Sequence, residues 1–277
     1  MLITGAGGKL GRLLRAAKAD MPDLRHTFVF QSRRPGADIR WSPGEETDPL
    51  PRCTGIIALW GATGGTAEEL SENTRLVRVG CDQARALGAT RMIHMSSAAV
   101  NGPGQNMDED YPTENCNPYG KSKLEMEAAV AQERRSWDLE HICLRLANVV
   151  GADSLSPALR GDRPARMDDF STTPSGHQGP RRSYIGARGL LEMLDALLSL
   201  PAQSWPTVLN VAMPQPLSMD ALITAAGHPI TWHPAPETAT QEVTLDVSRL
   251  QTLLPCRTAH PTAEELVADW LRLESLA

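Results

Sequence analysis

Apolar and polar positions along the chain alternate between two periods. Short apolar runs at Met1-Leu2-Ile3-Thr4, His26–Gln31, Gly55–Trp60, Arg91–Met95, His141–Gly151 and Thr207–Ala212 read as strands. The Gly55–Trp60 run is continuous enough to be buried on both faces. Helical spacing fills the intervals: Arg12–Lys18, Ala67 to Leu87 with Gly88 as its stop, Tyr119 to Val130, and Gly189–Leu200 ended by Pro201. Strands alternating with helices predict an α/β fold with a doubly wound parallel sheet. Residues 35–55 read as loop with a short strand near Ile39-Arg40-Trp41, and Gly102 to Asn117 as a polar loop. Residues 152–182 are rich in Pro, Gly, Arg and Asp and carry little periodicity, which predicts an irregular or mobile connection. Further on, Ser218 is placed to cap a helix Met219–Ala226 that Gly227 stops. Thr262-Ala263-Glu264-Glu265 fits a capping box opening a last helix that runs to about Leu273.

The first strand runs into Gly5-Ala6-Gly7-Gly8-Lys9-Leu10-Gly11, a T-G-x-x-G-x-x-G pattern that leads into a helix. Glycines there allow a tight turn and close approach of the backbone to a pyrophosphate, and the helix N-terminus adds N–H donors. A plain glycine turn is the alternative, though the strand–turn–helix setting is what anion binding requires. A P-loop does not fit, because Lys9 is followed by Leu10 rather than Ser or Thr. After the second strand come Gln31, Ser32, Arg33 and Arg34 with no acid among them. At that place in a dinucleotide fold a carboxylate would accept from the adenosine ribose, whereas Ser32 and Arg33 suit a 2′-phosphate and tilt the coenzyme to NADP over NAD. A solvated basic turn is the equal alternative. Trp60 and Gly61 follow the buried strand, at the sheet edge where ligands of open α/β folds bind.

Asn117-Pro118-Tyr119-Gly120-Lys121-Ser122-Lys123 opens the third helix, with Pro118 in its first turn. Tyr119 and Lys123, four apart, share a face. An ammonium beside a phenol favours the ionised form and lowers a pKa of about 10, so the pair suits proton exchange with a hydroxyl or ketone. Taken alone, the spacing more often describes a solvated surface pair.

Composition narrows the reading. The chain has 277 residues and a net charge of −6, and its Arg pairs (Arg33-Arg34, Arg134-Arg135, Arg181-Arg182) are dispersed, which excludes a general nucleic-acid surface. Five Cys at 53, 81, 116, 143 and 256 lack any C-x-x-C spacing, as expected of reduced thiols in a cytoplasmic protein without a metal centre. No apolar run reaches membrane-spanning length, and the first residues read as fold rather than as a signal peptide. His94 alternates with apolar neighbours and reads as structural. His228, His233 and His260 lie beside prolines and read as exposed loop residues rather than metal ligands.

Four motifs stand in order: Thr4 to Gly11, Met95-Ser96-Ser97-Ala98-Ala99-Val100, Asn117 to Lys123, and Leu144-Arg145-Leu146-Ala147-Asn148-Val149-Val150-Gly151. Together they resemble the extended short-chain dehydrogenase/reductases, and within them the NAD-dependent epimerase/dehydratase family. The resemblance covers most of the chain. It implies a Rossmann domain over residues 1–151, and over 152–277 a small C-terminal lobe that binds substrate, with some elements packing back on the sheet. It implies Tyr119 as acid/base, Lys123 on the nicotinamide ribose, and Ser97 on the reacting oxygen with Ser96 beside it. Gly5, Gly8, Lys9, Leu10, Gly11, Ser32, Arg33, Trp60 and Gly61 would line the cofactor. Asn73 matches a structural or cofactor-loop asparagine. Asn148 and Arg182 would contact substrate, Arg182 through a phosphate or carboxylate.

Where the family usually carries V-Y-G, this chain has Val100-Asn101-Gly102, and Trp60-Gly61 replaces a common Ala-Ala. The resemblance further implies an oxidoreductase acting by hydride transfer at a carbinol or ketone of a sugar or nucleotide sugar, or an epimerase that keeps its cofactor. A non-catalytic nucleotide-binding regulator is the third reading, against which the intact Ser97, Tyr119 and Lys123 argue. A homodimer through the second and third helices is implied too, with Leu76, Val77, Gly80, Leu124 and Ala128 as contact positions.

Overall fold

The computed structural model describes residues 1–47, 50–134, 139–172, 176–255 and 260–276, so Arg135 and Cys256 lie outside the described residues. A seven-stranded sheet forms its centre: β1 (Leu2–Thr4), β2 (Val29–Ser32), β3 (Ile39–Arg40), β4 (Gly55–Ala58), β5 (Arg91–Ser97), β6 (Glu140–Leu146) and β7 (Val208–Val211). Their order is β7-β6-β5-β4-β1-β2-β3, and every pairing is parallel. The chain reverses its winding between β1 and β4, which opens a crevice at their C-terminal ends.

Both faces of the sheet are covered, because side chains on a strand alternate with period two. Ile3, Ile57, Ile93 and Ile142 point into one core, with helices α1 (Lys9–Asp20), α4 (Ala187–Ser199) and α5 (Ala263–Glu274) packed over it. Leu2, Ile56, Met92 and Cys143 point into the other, under α2 (Ala67–Leu87) and α3 (Pro118–Glu133). Local signals set the helix ends. Thr66 and Glu69 form a reciprocal capping box at the start of α2, and Gly88 closes that helix in the left-handed region at φ 73°. Thr262 and Glu265 do the same for the start of α5.

Smaller pairings build the lobe beyond the sheet's C-terminal edge. Leu217–Ser218, Arg181–Arg182, Glu242–Leu245 and Gly104–Met107 form a four-stranded sheet, and Ala165–Asp169 pairs with Ile230–Pro234. The lobe thus draws on residues before 151, and the central sheet draws β7 from after it.

Three local expectations differ. The polar stretch from Gly102 is not all loop: Gly104–Met107 pairs with Glu242–Leu245, and the Asn106 N–H donates to Thr244 Oγ1 at 2.8 Å. Residues 152–182 hold a short helix, Ser156–Leu159, besides their strands. The second strand begins at Val29 rather than His26, because the Arg25 and His26 N–H groups both donate to the Asp195 carboxylate on α4.

Candidate active site

The glycine turn lies at the crevice between β1 and β4. Gly5 sits at φ 73°, against the backbone of Trp60, and its N–H donates to Gln31 Oε1 at 3.2 Å. A Cβ on Gly11 would overlap the backbone of Ala6, so this glycine lets α1 approach the turn. Gly8 is the N-cap of α1. No side chain caps that end and no acid stands in its first turn, so its N–H donors and positive dipole end face outward. These residues fit the diphosphate of a dinucleotide, with the N-terminal N–H groups around Gly8, Lys9 and Leu10 to hold it.

Across the crevice, Gly61 at φ 136° turns the chain after β4. Buried Asn73 clamps this turn: Oδ1 accepts from the Ala62 N–H at 3.0 Å, and Nδ2 donates to the Ala62 carbonyl at 3.0 Å and to Ser122 Oγ at 2.9 Å. The Trp60 ring packs 6.4 Å from Trp41, beside Gly80, so only its backbone borders Gly5.

The end of β2 is more committed than its sequence reveals. Gln31 is 2 % exposed, its amide engaged by the Gly5 N–H and the Trp41 carbonyl and turned inward from a ribose hydroxyl. Buried Ser32 accepts the Arg34 N–H at 3.0 Å. The nearest downstream acid, Asp38, is exposed and accepts the Phe30 N–H at 2.8 Å through Oδ2. Arg33 and Arg34 are exposed.

Helix α3 carries the candidate acid/base group. Asn117 caps it by accepting the Gly120 N–H at 2.8 Å, and Pro118 occupies its first turn. Gly120 is needed here, since a Cβ would collide with the Ala99 carbonyl. Tyr119 and Lys123 therefore stand on one face, against the end of β5. The Ser97 hydroxyl accepts from the Ala99 N–H at 3.2 Å and stands beside the Tyr119 phenol. Lys123 is 4 % exposed. Its Nζ donates to the Met95 carbonyl at 2.8 Å and lies 5.9 Å from the centre of the Tyr119 ring.

The electrostatics differ from the expected lowering of the tyrosine. Burial pushes the phenol up, and the Ser97 hydroxyl offsets that only in part. Burial also brings the Lys123 ammonium down to about 8. Beneath them, His94 Nε2 and His141 Nδ1 are 3.0 Å apart and buried. Burial holds His94 well below the usual range and His141 at about 4, so both are neutral at pH 7.

The residues expected to contact substrate, Asn148 and Arg182, stand on short strands outside the central sheet. Asn148 pairs with Tyr184, next to the buried Tyr184 phenol. Arg182 gives Nη1 to the Arg181 and Gln241 carbonyls and Nη2 to the Thr240 carbonyl, tying its strand to that loop. Two features carry no strong sequence signal. Asp153, near Lys9, is brought up to about 6 by burial. Glu127, one turn beyond Lys123, is buried with Arg145 and Ser96; its only trace in the sequence is the spacing 119, 123, 127. His228 and His233 are not exposed loop residues: both are half-buried, and His233 lies within the strand Ile230–Pro234. Among the described residues no group of three His, Cys, Asp or Glu could hold a metal.

The dimer positions also resolve differently. Leu76, Val77 and Gly80 are buried within the protomer, while Leu124 is half-buried and Ala128 exposed. No helix among the described residues is long and apolar enough to cross a membrane.

A model of the NAD dependent epimerase/dehydratase family matches residues 1–212. A dTDP-6-deoxy-L-talose 4-dehydrogenase (NAD(P)(+)) from Kitasatospora kifunensis is 28% identical over 177 residues, which cover 57% of this chain and 56% of that relative. The chain therefore matches little more than half the length of this curated relative. Among solved structures, MoeE5 in complex with UDP-glucuronic acid and NAD superposes with a TM-score of 0.77 at 20% identity, over 99% of each chain. The UDP-glucuronic acid 4-epimerase of Bacillus cereus, with UDP-glucuronic acid and NAD, superposes at 0.78 and 15% identity, over 100% of this chain and 99% of that one. At these identities the likeness establishes the fold.

Proposed function

The chain belongs to the NAD dependent epimerase/dehydratase family, and from that premise we propose that it is an NADP(H)-dependent oxidoreductase acting at a carbinol or ketone carbon of a nucleotide sugar. The observation that carries the reading is the face of α3, where Tyr119 and Lys123 meet Ser97 and the Met95 carbonyl beside the glycine crevice. Nicotinamide, when bound, exchanges a hydride with the substrate carbon. The chain's own residues manage the proton. Tyr119, a neutral phenol at pH 7, donates its proton to the substrate oxygen during reduction and takes it back during oxidation. Ser97 holds that oxygen. Lys123 places a positive charge under the tyrosine and would hold the nicotinamide ribose. Asn148 would orient the sugar. Arg182, held by the 240–241 carbonyls through Nη1 and Nη2, would offer a phosphate its remaining N–H donors.

NADP(H) is favoured because no acid stands at Gln31, Ser32, Arg33 or Arg34, Gln31 is buried with its amide engaged, and Arg33 is exposed beside Ser32. The activity named for the K. kifunensis relative supports a dehydrogenase over an epimerase and a deoxyhexose nucleotide as a first substrate.

The test is a panel of dTDP- and UDP-hexoses and their keto derivatives with each coenzyme, followed by nicotinamide absorbance and sugar NMR. A coenzyme-linked absorbance change supports the proposal. A new epimer without absorbance change makes the protein an epimerase with retained cofactor. Neither signal from folded, coenzyme-binding protein argues against both.

A further inference from the structure

The face that carries Tyr119 and Lys123 continues one turn further, to Glu127. Glutamates on helix surfaces are usually solvated, but this side chain is 9 % exposed and that of its partner Arg145 6 %. Such charges persist in an interior only when paired and hydrogen-bonded. Arg145 grips the carboxylate with two bonds, Nε to Oε1 at 3.1 Å and Nη2 to Oε2 at 2.9 Å. Ser96 Oγ donates to Oε1 at 2.5 Å. Ser96 and Arg145 are register partners across β5 and β6, so Glu127 is held by two strands at one rung. The other end of the Arg145 fork donates to the Glu109 carbonyl at 2.9 Å, and the Glu109 carboxylate accepts the Asn210 N–H on β7 at 2.8 Å.

Three consecutive residues of β5 therefore meet three residues of one helical face. The Met95 carbonyl takes Lys123, Ser96 takes Glu127, and Ser97 stands beside Tyr119. Of these contacts, that of Glu127 is the one fastened by a two-bonded charged fork, which fixes direction as well as distance. We propose that Glu127 is a positioning residue of this site: clamped by Ser96 and Arg145, it sets the rotation of α3 and holds its carboxylate one turn from the Lys123 ammonium. The proposal rests on the reading of Tyr119 and Lys123 as the acid/base pair.

The groups around Lys123 give the clamp an electrostatic consequence. Tyr119 and Glu127 face it from α3, His94 from β5 and Cys143 from β6, with Arg145 on the Glu127 carboxylate. Burial lowers Lys123 to about 8, against the opposite pull of Cys143 and Glu127. Burial drives the Cys143 thiol far up, so it is uncharged there, and His94 is neutral. Glu127 is then the anion that keeps the lysine charged near neutral pH.

The chain has four lysines, Lys9, Lys18, Lys121 and Lys123, so carbon-13 labelling at lysine Cε gives four NMR signals, and Lys123→Met identifies the one of interest. Glu127→Gln keeps the shape and an acceptor for Ser96 but removes the charge. Its expected effect is a fall of about 1 pH unit or more in the Lys123 midpoint. Turnover should fall about tenfold or more, the cost of a misplaced acid/base group. A glutamate that only braces the fold would lower thermal stability and leave the Lys123 midpoint where it is, and that result overturns the proposal.

Should the unpaired Arg145 unfold Glu127→Gln, the double replacement Glu127→Met/Arg145→Met removes both charges together. The same fall in the Lys123 midpoint supports the proposal there, and an unmoved midpoint overturns it. A wild type inactive on every nucleotide sugar counts against the acid/base reading alone, because the midpoint needs no turnover.

Discussion

Lys123→Met is expected to make the protein more stable at neutral pH while removing its activity. In the fold this ammonium is 4 % exposed and releases its proton at about 8 instead of 10.5. Holding it charged at pH 7 therefore costs the native state about 3 kcal/mol. Methionine fills a similar volume without that cost but leaves the Met95 carbonyl without its donor, a loss of about 1–3 kcal/mol. The net gain is about 0–2 kcal/mol, or a rise in Tm of up to about 8 °C.

The pH dependence distinguishes this cause from ordinary packing. Because the folded pKa is depressed below the unfolded one, the unfolded chain binds more protons between pH 8 and 10.5, and wild-type stability rises with pH across that window. The advantage of the variant should shrink over the same interval and be gone above it. Urea denaturation of both proteins at several pH values from 7 to 10.5 measures the gap. A variant clearly less stable than wild type at pH 7, or a gap that does not change with pH, would refute the buried-ammonium argument.

Coenzyme titration should give tighter binding of NADPH than NADH, and Arg33→Ala should narrow the gap by about 1–3 kcal/mol. Tighter binding of NADH to the wild type would sink the reading of the β2 turn. The buried His94–His141 pair should make the fold acid-sensitive. Its folded pKa values are depressed, His141 to about 4, so its contribution is complete above about 6.5 and is lost as pH falls toward 4. The double variant His94→Leu/His141→Leu should flatten acid denaturation in that window, and an unchanged curve would show that other groups govern it.

What was legible in the sequence was local. Helix α2 could be read to its last residue, because Gly88 stops an apolar period at the one conformation glycine favours. The Tyr119–Lys123 face was legible for the same reason, being a spacing of four behind an N-cap and a proline. Features that depend on partners far along the chain were not. Gly104–Met107 has no alternation of its own and becomes a strand because Glu242–Leu245 lies beside it. The dimer positions Leu76, Val77 and Gly80 look like a small apolar stripe in sequence, and the fold turns that stripe inward. Gln31 looks free beside Ser32, yet Gly5 and Trp41 engage its amide. The fold class and the order of motifs needed no such contacts, whereas the charge state of Tyr119 did: burial, invisible in a spacing, raises the phenol despite Ser97 beside it.

The central claim is that Tyr119 moves the proton during coenzyme-linked turnover. Comparing Tyr119→Phe with wild type, on whichever nucleotide sugar the panel identifies, tests it most directly. Loss of one hydroxyl should leave coenzyme affinity and fold intact and lower kcat by about 10²–10⁴, the worth of a positioned acid/base group. A folded variant that turns over as fast as wild type would contradict the account.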